Sequence, residues 1–144
     1  MEKEILEKLL EVTYRSAKCI LSTIDTFVLD IKNEKLKNLC ENKIAEYDLI
    51  LDECKLIARG IKKDLDDVGF FEKYQSLINL KIASIKKKDT FSIAEYLYLS
   101  IVENQPSLYH LLKNDIDEIE IVKKTISINE DFIQNLKNCF IIED

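Results

Sequence analysis

An all-α fold is predicted by three observations. The 144 residues include only two glycines, Gly60 and Gly69, and one proline, Pro106. That is too few turn residues for a β-rich chain, but it suits long helices. Apolar side chains recur at steps of three and four over long stretches, the period of helices that bury one face. Hydrophobic residues at 47% beside charged residues at 33% describe a globular chain, long enough to form one domain with a real core.

The first helix is expected over about residues 3 to 31, with a buried stripe of Leu6, Leu10, Ala17, Ile20, Ile24, Val28 and Ile31; Thr13 is its one polar member. Asn33 offers an N-cap for a second helix over about 34 to 59, so the turn is short and the two helices run antiparallel. The second stripe is Leu36, Cys40, Ile44, Tyr47, Leu51, Cys54 and Ala58, and Gly60 falls where a left-handed C-terminal cap is needed. Both glycines lie in 60-GIKKDLDDVG-69. A shorter apolar segment follows, which reads as a loop and a short helix over about 70 to 86 that crosses the bundle.

A third helix is expected from near Ser92 to about 112. The sequence 92-SIAE-95 has the capping-box form, with Ser92 taking a backbone amide and Glu95 reaching back. Its buried line is Ala94, Leu97, Ile101, Leu108 and Leu111. Pro106 removes a backbone donor inside this helix, predicting either a kink near Val102 or a break with Asn104 capping a new turn. A kink there would also open space for a small apolar ligand. Only 112-LKND-115 separates this helix from the last one, over about 116 to 141, which again implies antiparallel neighbours. The last stripe is Ile119, Val122, Ile126, Ile133, Leu136 and Phe140, interrupted midway by Asn129 and Glu130.

Charge narrows the function classes. The formal net charge is −6, from 27 acidic and 21 basic residues, which argues against a general nucleic-acid binder. The only basic cluster, 86-KKK-88, complements the negative end of the short helix. No apolar run is long enough to span a membrane: 19-CILSTIDTFVL-29 is short and contains Asp25. The opening MEKEILEKLLEV alternates charge with apolar side chains, unlike a secretory leader. Cys19, Cys40, Cys54 and Cys139 stand singly, with no CxxC and no histidine placed for zinc. Buried, reduced thiols in a cytoplasmic protein are the expectation.

Two antiparallel helix pairs joined by a crossover of about thirty residues resemble the up-down-down-up bundle of ferritin-like proteins, which have one long connection between the second and third helices. The likeness is to a family of small bacterial ferritin-like proteins of unknown function. It is carried by 33-NEKLKNLCENKIAEYDLILDEC-54, 92-SIAEYLYLSI-101 and 128-INEDFIQNLKN-138. Iron-binding members of that superfamily supply a glutamate from one helix of each pair and Glu-x-x-His from the other. By that resemblance Glu46 and Glu130 are the candidate metal ligands, but Leu49 and Ile133 stand where the histidines would be. Counting outward from the turns sets Glu46 level with Cys19, near Ser16 and Ile20, and sets Glu130 level with Ser100. Neither level adds a carboxylate.

The expectation is therefore a bundle with no catalytic residues, no metal and no cofactor, and with a polar core layer of Ser100, Asn129 and Glu130. His110 stands alone near a helix end, with no nucleophile or paired acid. No GxSxG, P-loop, dinucleotide fingerprint or HExxH occurs. Tyr96, Tyr98 and Tyr109 offer an aromatic patch. Phe70, Phe71, Tyr74, Leu77 and Leu80 exceed what one face of the crossover can hide. Both features point to binding, by a homodimer or a protein partner. The competing readings are an iron-handling or di-metal oxidase with a reduced ligand set, and a small apolar-ligand binder.

Overall fold

A computed structural model describes residues 2–65, 77, 80 and 88–144. These residues are helical, with no strand among them: α1 (Glu2–Phe27), α2 (Glu34–Gly60), α3 (Thr90–Leu111) and α4 (Ile119–Cys139). Of the short helix expected over 70–86, only Leu77 and Leu80 lie among the described residues. Both are helical and solvent-exposed. Phe70, Phe71 and Tyr74 lie outside the described residues.

α1 packs on α2 and α3, and α4 packs on the same two from the opposite side, with α1 and α4 also touching across the middle. Residue pairs give the directions. Thr23 meets Ser100 and Phe27 meets Tyr96, so α1 and α3 are antiparallel. Tyr47 meets Asn129 and Glu53 meets Lys124, so α2 and α4 are antiparallel as well. The core runs the length of the bundle through Leu10, Ile20, Ile24, Leu36, Cys54, Leu97, Ile101, Val122 and Leu136.

α1 is shorter than its stripe predicts. After Phe27 the chain tightens into a 3-10 turn at Val28–Asp30, then extends at Ile31 (φ −78°, ψ 114°) to reverse direction. Ile31 is still buried, so the apolar pattern continues past the end of the helix. Asn33 caps α2 as expected, accepting from the Leu36 amide at 3.1 Å. At the other end Gly60 is helical, and Lys62 takes the left-handed conformation (φ 54°). The Lys63 amide bonds the Ala58 carbonyl at 2.9 Å and the Lys62 amide bonds that of Arg59 at 3.2 Å. This is the Schellman closure, two residues later than the glycine suggests.

α3 begins earlier than the capping-box pattern predicts. Asp89, not Ser92, is the N-cap, and its carboxylate accepts from the Ser92 amide at 2.8 Å. Asp144 adds a second carboxylate, taking the Thr90 amide at 2.6 Å and the Thr90 hydroxyl at 2.5 Å. With two orphan amides met and negative charge at the positive end of the helix, no reach-back by Glu95 is needed. Pro106 does not break α3, which runs unbroken to Leu111. Asn104 starts no new turn; its side-chain amide instead donates to the Ser100 carbonyl at 2.7 Å. On α4 the buried face is rotated from the expected stripe: Phe132 is fully buried, whereas Ile119, Ile133 and Phe140 are only half-buried.

Candidate functional site

The middle of the bundle is where Glu46 and Glu130 were expected. On α2, residues 43, 46 and 47 are one turn apart and share the side facing α4. Tyr47 is fully buried, and its hydroxyl donates to Asn129 Oδ1 at 2.6 Å. The Asn129 side-chain amide donates in turn to Gln105 Oε1 on α3 at 2.8 Å. Burial pushes the Tyr47 phenol well above its ordinary range, with the Glu46 charge adding to the shift. The phenol therefore stays a neutral donor.

Lys43 is the residue sequence reading missed. Its side chain is only 2% exposed, yet its ammonium reaches Asp131 at 2.6 Å and Glu46 at 2.9 Å, with the Ile128 carbonyl at 3.5 Å. The stem crosses the α2/α4 seam and the charge emerges between two partly exposed carboxylates.

Glu46 thus lies at the rim of the bundle, where the Lys43 ammonium neutralises it. Glu130 is exposed and accepts a hydrogen bond from the Tyr109 hydroxyl. That bond, then desolvation and the carboxylate charge, raises the Tyr109 phenol above its usual range. The reason for the outward turn is angular: successive helix residues point about 100° apart, so with Asn129 inward Glu130 faces away. Ser100 also leaves the expected layer. Its hydroxyl lies 3.4 Å from that of Thr23, which itself donates to the Cys19 carbonyl at 2.9 Å. Of the expected layer of Ser100, Asn129 and Glu130, Asn129 alone joins the central network, whose other members are Tyr47 and Gln105. On α1 the buried hydroxyls of Thr13 and Ser16 have no hydrogen-bond partner among the described residues.

Glu46 and Glu130 do not converge, and among the described residues no group of three or more His, Cys, Asp or Glu is placed to hold a metal ion. All four cysteines are buried free thiols. Burial is the main cause of the raised Cys40 and Cys54 thiols, each pushed up to about 12. His110 is exposed at the end of α3, with its Nε2 2.9 Å from the Lys113 ammonium. The three tyrosines do not form one patch: Tyr96 packs edge-on against Phe27, Tyr98 against Phe140, and Tyr109 turns to Glu130.

Two open grooves flank this centre. One, of about 610 Å3, lies along α2 and α4 between Glu46, Leu49, Glu53, Lys124 and Ile128. The other, of about 550 Å3, lies between α1 and α3 beside Ile5, Lys8, Val12, Ser107, His110 and Lys113. No helix among the described residues is long and apolar enough to cross a membrane. No family model matches the chain, and no curated protein or solved structure matches it.

Proposed function

We propose that this chain is a ferritin-like bundle that acts by binding rather than by catalysis, and that its first partner is a second copy of itself. The observation that carries the reading is the outer face of α3. The inner face is filled by Leu97, Ile101 and Leu108, yet Leu99, Val102 and Tyr109 remain 49%, 40% and 47% exposed on the other side. A surface helix that carries large apolar side chains on its outer as well as its inner face is short of a partner.

The ferritin-like part is supported by the contacts. With antiparallel neighbours, α1 and α4 run one way and α2 and α3 the other, and the stretch from residue 61 to 89 joins the two parallel helices. The metal-free part is supported by Lys43, whose ammonium takes the place between Glu46 and Asp131 that a cation would need. Four buried thiols fit a reducing, cytoplasmic setting.

Size-exclusion chromatography with light scattering tests the self-association, which a strict monomer at high concentration would overturn. Elemental analysis of protein purified without chelator tests the metal-free reading. Stoichiometric iron that disappears in a Glu46→Ala, Glu130→Ala double variant would replace it with iron handling. A small-ligand reading is favoured by one observation, the groove between α1 and α3 beside Ile5, Val12 and Ser107; native mass spectrometry of the purified protein tests it by showing or failing to show a co-purified ligand.

A further inference from the structure

One line of exposed residues along α3 and the turn after it is Glu95, Leu99, Val102, Pro106, Tyr109 and Lys113, with Glu103, Ser107 and His110 exposed beside it. The line's steps of four, three, four, three and four are those of a helix-pairing seam. The order along the seam is acid, leucine, valine, proline, tyrosine, base. Read backwards, it complements itself. Glu95 and Lys113 are equally distant from Asn104, as are Leu99 and Tyr109, and Val102 and Pro106.

A two-fold axis near Asn104 would therefore set two α3 helices antiparallel, with each residue meeting its counterpart twice, as an isologous interface requires. We infer that α3 is the dimer surface. Glu95 of one copy pairs with Lys113 of the other, Leu99 packs on Tyr109, and Val102 packs on Pro106. This rests on the self-association proposed above and gives it a geometry.

One feature of α3 fits the pairing. Tyr109 is tethered to Glu130, which fixes the aromatic ring beside the seam and reduces the entropy lost when it is covered. Lys113, whose ammonium lies 2.9 Å from His110 Nε2, is the base at one end, and Glu95 is the acid at the other. A parallel pairing would instead bring like charges together.

The test is dimer dissociation followed by sedimentation equilibrium, with helical content checked by circular dichroism. Leu99→Lys alters an exposed side chain, so the fold should persist while dissociation rises at least about tenfold. Glu95→Lys and Lys113→Glu should each weaken the dimer about threefold, as expected for rim charges. The double charge swap should return to within about twofold of the unmodified chain, since both pairs re-form. Leu49→Lys, at an α2 side chain 69% exposed, should have no effect. If the unmodified chain dimerises and Leu99→Lys leaves it intact, self-association stands and the α3 surface is overturned. Disruption by Leu49→Lys instead would move the interface to α2. A monomeric unmodified chain would overturn both proposals.

Discussion

The ammonium of Lys43 lies 2.6 Å from the carboxylate of Asp131, although the lysine side chain is 2% exposed and the aspartate 62%. The pair is lopsided: a buried stem delivers its charge to a partner that remains in water. Desolvation therefore falls on the aliphatic carbons, where it is favourable, and the ion pair itself is only partly shielded.

Lys43→Met should accordingly be tolerated, within about 1 kcal/mol of the unmodified chain, because the thioether fills the stem's volume and both carboxylates can stay hydrated. Removing the carboxylates instead, as Asp131→Ala with Glu46→Ala, leaves the ammonium, of these three partners, the Ile128 carbonyl at 3.5 Å. That double variant should lose about 2 kcal/mol. Urea midpoints at constant slope measure both changes. A larger loss for Lys43→Met than for the double variant would show that the charge, not the stem, stabilises the seam.

The chain of Tyr47, Asn129 and Gln105 predicts non-additivity. Asn129→Ala leaves both the Tyr47 hydroxyl and Gln105 Oε1 without their bonds, and should cost about 3 kcal/mol. Tyr47→Phe removes one donor and should cost about 1–2 kcal/mol. Combining Tyr47→Phe with Asn129→Ala should cost less than the sum of the single variants, because the hydroxyl that Asn129→Ala strands is then absent. Strict additivity in a double-mutant cycle would show that the three groups do not act as a unit.

The two accounts of the start of α3 separate cleanly by mutation. Asp89→Ala removes an observed cap and should cost about 1 kcal/mol. Glu95→Gln should change stability by less than about 0.5 kcal/mol, since Glu95 is exposed and forms no capping bond. A capping box at Ser92 would reverse that order, and thermal melts of the two variants read it directly.

Periodicity made the helices legible because burial of one face dominates their stability, and the stripes of α1 and α2 were read nearly whole. Polar members of a stripe were not. Leu36, Cys40, Lys43, Tyr47, Ile50 and Cys54 are spaced four, three, four, three and four, and all are buried. Lys43 sits in that series, but its charge hides it, and the apolar pattern points to Ile44 in its place. Gln105 is hidden in the same way between Ile101 and Leu108. Glu130 is the opposite case: it lies one residue beyond the buried Asn129, and pattern alone does not separate the two. The ends of α2 and α3 depended on which residue took the left-handed turn and which carboxylate reached an amide. Asp144 is distant in sequence from Thr90, so local pattern alone gave no signal for that contact.

The buried thiols predict an alkaline limit to stability. Cys40 and Cys54 have their folded values raised from 9.0 to about 12, chiefly by burial, with Cys139 and Glu41 adding to the first and Glu53 to the second. Below about pH 9 both thiols hold their protons whether the chain is folded or not, so the native state keeps its full stability. As pH rises past 9 the unfolded chain releases protons that the native core retains. Stability then falls towards pH 12, by up to about 1.4 kcal/mol per pH unit for each thiol. The urea midpoint should be flat from pH 7 to 8.5 and decline steeply from 9 to 10, before the Tyr47 phenol adds its own loss above 10. Cys40→Ala with Cys54→Ala should start from a lower midpoint at pH 8, through lost packing, but show a shallower decline between 9 and 10. An unchanged decline in that variant would assign the alkaline loss to groups other than these two thiols.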